Sequence, residues 1–494
     1  MSNLICLFVV IPLFTAFLIG ILYKLHNSVA DTLTNVCIFA LTCLSVLFVS
    51  QVAGNNALVY KIGGWIPPFG IVFVVDSLSV LMLILVNTVS LFAAIYSISY
   101  MNRYTSKPYY YILFLLMLVG MNGIIITGDL FNLFVFIEIA SISSYALVSF
   151  GIQHEELEAS FKYMVIGEIA STFILFAIIL LYAWGGSLNM ADIAFRINGD
   201  SLGSANSMVR FVSVLFIFGF GVKAAIVPFH AWLPDAHPSA PAPISSMLSG
   251  VLIKVLGIYA LTRVLYSVLG ITFVIQNVLL TLGAISMVAG ALLALPQIDF
   301  KRMLAYSSIS QVGYIILGIA SGNFIGITGG LFHLVNHGVF KSLLFMDAGS
   351  VEFATKTRKL NELGGISEKM PITHGSFLTG ALSIVGMPPF NGFWSKLLII
   401  IGLAQSNHTG LALLAICIAV VTLAYYLKIE RSVFWGKLKE GLEFVKEAPF
   451  SMAFSMIMLA IICFVGGLLY FHPILKDAAQ VVHQGTIYAN HLLK

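Results

Sequence analysis

Charge is what this chain has least of. Only 9% of its 494 residues are Asp, Glu, Lys or Arg, where a soluble globular domain carries about 25%. That excludes a soluble enzyme, and it removes nucleic-acid binding as the meaning of the +4 net charge. Cysteine is equally scarce: Cys6, Cys37, Cys43, Cys417 and Cys463 are scattered through apolar runs without a CxxC spacing. Iron–sulfur clusters, zinc sites and disulfide frameworks need clustered ligands, so none is expected, and no metal or cofactor is expected on this chain. A haem held by histidines from two helices is excluded too, because His333 and His337 are the only histidines central to an apolar run and they share it. No positive segment precedes the first run, "LICLFVVIPLFTAFLIGILYK", and no small-residue cleavage site follows it. It reads as a retained span, not a signal peptide.

What the chain has is apolar length. Hydrophobic residues make up 59% of it, in recurring stretches of the roughly 20 residues that span a bilayer as a helix. The runs are too long and too evenly apolar for barrel strands. The fold expected is an all-α polytopic membrane protein with about 14 transmembrane helices, the seventh (208–228) and the twelfth (372–404) interrupted. Of the 25 basic residues, fifteen, from Lys24 to Lys446, fall after odd-numbered spans, Lys301 and Lys162 among them; six, including Arg263, fall on the other side. The bias places the odd loops in the cytoplasm and both termini outside, in the inner or plasma membrane. The remaining four, Lys223, Lys254, Lys341 and Lys396, lie within spans.

There is an internal echo. "IVPFHAWL" around Pro228 resembles "MPPFNGFW" around Pro388 and Pro389, and each interrupts a span beside a lysine. "DLFNLFVFIEIASISSYAL" and "DFKRMLAYSSISQVGYIIL" share an aspartate start and a Ser-rich middle. A repeated five-span unit must reappear upside down, as in many transporters. The organisation expected is helices 1–3 over 1–109, a first five-helix repeat over 110–267, a second, inverted one over 268–427, and a C-terminal loop, helix and tail over 428–494.

Ionisable groups in mid-membrane cost about 2.5–3.5 kcal/mol each on insertion scales, so they mark function by default. Glu138, Lys223, Lys254, His333, His337, Lys341 and Lys396 form that set, with the histidines and Lys341 at i, i+4, i+8 on one helix face. Any single lysine could snorkel to the interface and the histidines could be packing groups. Seven such groups in five spans are too many for inert scaffold. Their chemistry suits a proton relay: burial loosens a lysine's proton, a nearby carboxylate tightens it, and histidine titrates near neutral pH. Prolines at the two breaks free carbonyls and make room for water beside Lys223 and Lys396. Accessory candidates are Asp76, Glu168, His230, Asp235, His237, Gln311 and Asp347, with Asp76 read first as an interfacial or packing group.

The segment "VKAAIVPFHAWLPDAHPSAPAPISSMLSGVLIKVLGIYAL" resembles the signature of the antiporter-like membrane subunits shared by respiratory complex I, Mrp sodium/proton antiporters and membrane-bound energy-converting hydrogenases. The similarity extends from "VDSLSVLMLIL" to the Pro-Pro span. It implies fourteen helices, inverted five-helix repeats and broken helices seven and twelve. By position it places the family's relay groups on Glu138, Lys223, Lys254, His337 and Lys396. Two departures stand out: Gln311 in "SSISQVGY" occupies a place where the family often has histidine, and Asp347 stands where an uncharged residue is usual. The resemblance implies no cofactor and no catalytic chemistry on this chain, which would conduct protons, driven by redox partners in the same membrane complex, with lipid around it. The stretch "HAWLPDAHPSAP" is closer to the complex I and hydrogenase types; a subunit of a Mrp-type antiporter, with sodium as cargo, is the alternative.

Overall fold

A backbone in lipid has no water to bond and must bond to itself, and the apolar runs do so as helices. The computed structural model describes residues 2–24, 28–54, 56–199 and 204–485, the side chains of 204–206, 470 and 471 excepted. Helix underlies each of the fourteen apolar stretches. In chain order they are α1 (Leu7–Leu22), α2 (Val29–Val52), α3 (Ser77–Tyr100), α4 (Lys107–Ile126), α5 (Leu130–Val148) and α6 (His154–Gly185). A short α7 (Met190–Gly199) precedes the broken seventh stretch, α8 (Ser204–Lys223) and α9 (Leu233–Ser239). Then come α10 (Ala242–Leu269), α11 (Phe273–Ala294), α12 (Phe300–Ala320) and α13 (Phe324–Thr355). The broken twelfth stretch is α14 (Pro371–Val385) plus α15 (Asn391–Gln405). The chain continues through α16 (Thr409–Phe434), α17 (Phe450–Leu469) and the amphipathic α18 (Pro473–Gln484). Among the described residues eleven helices are long and apolar enough to cross a membrane. The stretches outside that set are the two broken ones and α13, which carries His333, His337, Lys341 and Asp347.

Ahead of α3, Val72–Val75 pairs with Leu58–Lys61 as a β-hairpin, and Asp76 caps the helix that begins at Ser77. Two expectations needed correction. The sixth span begins at His154, where Gln153 and Glu156 form a capping box, so Lys162 is helical and not in a loop. Lys301 and Arg263, both assigned to loops, are buried at 2% and 3% exposure because each has a carboxylate partner.

The echoed aspartates occupy matching positions. Asp129 caps α5 and bridges to Asn189; Asp299 caps α12 and bridges to Lys359. Around them the backbone bonds correspond one for one: Leu130 N to Leu188 O and Met190 N to Gly128 O in the first, Phe300 N to Arg358 O and Leu360 N to Ile298 O in the second.

The helices nearest the centre are α10, α12 and α13. Every residue of α10 is buried, and it winds in π turns over Leu248–Leu252, Lys254–Tyr259 and Arg263–Leu269. Such wide turns are uncommon and gather at functional sites. Two glycines bring α10 onto its neighbours. A Cβ on Gly257 would run into the backbone of Ala224, just past Lys223, and one on Gly250 would run into Ser342 of α13. Gly257→Val should therefore destabilise the chain by about 1–3 kcal/mol through overpacking, read as a lower thermal transition of the assembled complex.

Candidate functional site: a buried line of lysines and histidines

Glu138, Ser141 and Tyr145 stand at i, i+3 and i+7 and share one face of α5. Lys223, the last residue of α8, reaches that face and donates to Ser141 Oγ at 2.9 Å and Tyr145 OH at 3.3 Å. Lys223 as a whole is only 4% exposed, so its ammonium does not snorkel to the surface. Glu138 is half-buried, and its Oε1 has no hydrogen-bond partner among the described residues. Glu168 of α6 lies in side-chain hydrogen-bond reach of Glu138 and Tyr145, and both glutamates act electrostatically on Lys223. Gly167 leaves the space that the Tyr145 hydroxyl fills.

The break after Lys223 is satisfied locally. Trp232 Nε1 donates to the Val222 carbonyl at 2.9 Å, and Val227 N donates to Ser286 Oγ at 3.0 Å. Trp232 also stacks on Tyr163 at 4.2 Å, which ties the break to α6. Ala225 sits at φ 56° inside the turn, and Pro228 follows.

Lys254 is wholly buried on α10 and donates to Ser249 O of its own helix. Ser249 Oγ meets Ser308 Oγ of α12 at 2.7 Å. Across the glycine contact, α13 presents His333, His337 and Lys341, all at 0% exposure. Lys341 donates to Leu304 O (2.7 Å), Ser307 Oγ (2.6 Å) and Tyr426 OH (3.4 Å). His337 has no hydrogen-bond partner on either ring nitrogen among the described residues, and its ring lies 6.2 Å from that of His333. Lys254, Lys341, His333 and Lys396 are the charged or titrating groups that act on it.

His333 links the centre to the second break. Its Nε2 lies 3.0 Å from Gln311 Oε1, which can only accept, so Nε2 carries the hydrogen. Its Nδ1 lies 2.9 Å from Ser395 Oγ. Next in chain is Lys396, which donates to Ile384 O (2.7 Å) and Val385 O (3.3 Å), the carbonyls left open where α14 ends. An ammonium at a helix C-terminus is favourably placed in the helix field. Pro388 and Pro389 form the turn between α14 and α15.

The accessory candidates divide. His237 is wholly buried, stacks on Phe345 at 4.7 Å, and has Lys341, Lys254 and Lys301 as its charged neighbours. Near it in the chain lie a cavity of about 260 Å³, walled by Glu155, Lys162, Asp235, Arg302 and Arg358, and one of about 450 Å³, walled by His154, Glu155, Glu156 and Arg358. Asp235 pairs there with Lys162 (3.3 Å) and Arg302 (3.4 Å), so it belongs to this mouth. His230 is half-buried beside Pro228 in the first break. Asp76 is a packing group: Arg263 holds both its oxygens at 2.6 and 2.8 Å, with Ser79 and Tyr259 completing a buried clamp between α3 and α10. Asp347 lies off the line.

Sequence reasoning missed Ser141, Tyr145, Ser307, Tyr426 and Ser395. The first two were legible as the i+3 and i+7 neighbours of Glu138; the others meet the line only through helix packing. Among the described residues no three His, Cys, Asp or Glu side chains gather as a metal site requires.

The family described as NADH:quinone oxidoreductase/Mrp antiporter, transmembrane, matches residues 127–422, which include every member of this line. The chain belongs to that family. A second family, described as the N-terminus of NADH-ubiquinone oxidoreductase (complex I) chain 5, matches residues 65–111 of this antiporter-like subunit. An NADH-quinone oxidoreductase subunit of Desulforudis audaxviator is 36% identical, over 94% of this chain and 96% of that one. A Na(+)/H(+) antiporter subunit of Alkalihalophilus pseudofirmus is 31% identical over 100% of both. Among solved structures, the antiporter-like subunit superposes on a chain of the Mrp complex from a Dietzia species with TM-score 0.92 at 27% identity, covering 100% of this chain and 99% of that one. It superposes on a chain of an archaeal membrane-bound sulfane sulfur reductase with TM-score 0.89 at 32% identity and the same coverage. It is a multi-pass membrane protein.

Proposed function

We propose that this subunit moves protons across the membrane within a multi-subunit complex, along Glu138 and Glu168, Lys223, Lys254, His337 with Lys341, His333 and Lys396. The observation that carries the reading is the pair of helix breaks, each with a buried lysine at its edge, joined through a wholly buried lysine–histidine centre. Protons are taken up on the basic-loop face, the cytoplasmic side, through the mouth at Asp235 and past His237, and they leave at Lys396. Gln311 holds His333 in one tautomer and carries no proton itself. The matching Asp129 and Asp299 bridges support two inverted five-helix halves, 110–267 and 268–427, opening to opposite sides. Redox chemistry in partner subunits supplies the drive. The full-length likeness to an Mrp complex chain favours a second reading, sodium/proton exchange by the assembly, which a sodium dependence of transport distinguishes.

Glu138→Gln is the test. It keeps the shape of the α5 face and removes the charge acting on Lys223. In vesicles carrying the assembled complex, the initial rate of pH-gradient formation should fall roughly tenfold, the equivalent of one pKa unit of lost coupling. Electron transfer or counter-ion flux measured with the gradient collapsed should persist. Translocation at the wild-type rate would remove the α5 carboxylate from the path.

A further inference from the structure

Asp347 is a buried acid outside the line just described. It lies beyond Lys341 on α13, wholly buried, and Lys341 turns instead to Leu304, Ser307 and Tyr426. Ser376 Oγ of α14 donates to Asp347 Oδ1 at 2.6 Å, while Oδ2 has no partner among the described residues. A carboxylate so placed needs a proton or a cation to neutralise it, because a bare buried charge is strongly unfavourable.

A polar run connects it to the surface. Ser376 Oγ lies 3.0 Å from Thr373 O, and Thr373 Oγ1 donates to Glu447 at 2.6 Å. Glu447 is half-buried and also accepts from the backbone N–H groups of Ile372 (2.7 Å) and Thr373 (3.2 Å), closing the N-terminus of α14. On the inner side, Cys463 of α17 lies close enough to act electrostatically on Asp347 and to interact with Ser383. Ser383 in turn donates to Asn391 at the second break. Thr373, Ser376 and Ser383 share one face of α14. From α3, Tyr96 approaches Ser350, one turn beyond Asp347, at 3.1 Å. Ser376, with Thr379, also lines a largely apolar groove of about 500 Å³ between α14 and α17.

We propose that Asp347 with Ser376 is a second proton-holding site, loaded from the surface past Glu447 and Thr373, that serves the broken twelfth helix from the side opposite His333. The carboxylate, one hydroxyl and one carbonyl are fewer oxygens than the six or so that a hard metal cation takes, so the cargo is a proton. The inference rests on the relay reading above.

Two measurements on the assembled complex test it. In vesicles, Asp347→Asn should slow pH-gradient formation by about tenfold or more, and Asp347→Glu should restore most of it. Dicyclohexylcarbodiimide, an apolar reagent that the groove can admit, tests the proton itself. The acid's proton passes to a carbodiimide nitrogen as its oxygen bonds the central carbon, and acyl migration to nitrogen leaves an N-acylurea that peptide mapping locates. Labelling at residue 347 is expected, and it should decline as pH rises. Wild-type pumping by Asp347→Asn, or no adduct at 347, overturns the site. Protection from the reagent by sodium at constant pH overturns the proton assignment in favour of a sodium site. Lys254→Ala in the same vesicles separates the two ideas: if it stops pumping while Asp347→Asn does not, only this inference falls.

Discussion

Lys254→Ala is expected to abolish translocation, lowering the rate by about 100-fold or more, the loss that follows when a positioned proton-transfer group is removed. The lysine is wholly buried, and it acts electrostatically on His237, His333, His337 and Lys341 alike. It is the charge shared by the mouth histidine, both central histidines and Lys341, so its loss should divide the line in two. Lys254→Arg is the sharper variant. It keeps the positive charge, but a guanidinium does not release its proton in proteins, so it too should fail. Both variants leave α10 against Gly338 and Ala224, and assembly should survive. The readout is dye-reported pH-gradient formation in vesicles, normalised to complex content. Normal pumping by the arginine variant would mean that Lys254 acts only as a fixed charge.

Asp76→Asn costs the chain about 3–5 kcal/mol, because it strands a buried guanidinium. Arg263 sits in the last π turn of α10 and delivers both terminal nitrogens to Asp76, which simultaneously caps α3 through the Ser79 N–H at 2.9 Å. Removing one partner leaves an uncompensated charge, whereas replacing both with apolar groups of similar volume is often nearly neutral. The double variant Asp76→Leu/Arg263→Met should therefore recover most of the thermal stability that Asp76→Asn loses, and it should translocate at close to the wild-type rate per assembled complex. If Asp76→Asn melts with the wild type, the clamp contributes nothing. If the double variant is stable but silent, the pair belongs to transport and not to scaffold.

Arg263 also shows where hydropathy misleads. A charged residue near the end of an apolar run reads as the start of a loop, since a charge is expected in water; its partner, Asp76, is far off in sequence and nothing local announces the pair. Lys301 was misplaced for the same reason, its partner Glu352 lying on another helix at 2.7 Å. Lys162 is a different case, for its helix begins in water on a capping box before it enters the apolar run.

The residue types were legible because membranes are intolerant. A glutamate, four lysines and two histidines inside apolar runs stand out against a solvent that penalises each of them, and prolines within two spans announce breaks. Apolar run length was enough to locate all fourteen helical stretches, since in lipid the backbone has no other way to satisfy itself. The tertiary structure decided what those groups touch. Ser141 and Tyr145 hold Lys223, Gln311 orients His333, the carbonyls ending α14 hold Lys396, and Ser376 turns Asp347 away from the line. Each contact joins helices distant in sequence, and which side chains meet depends on rotation and close approach at positions such as Gly250 and Gly257. Hydrophobicity has no direction and could specify neither; packing and hydrogen-bond geometry do.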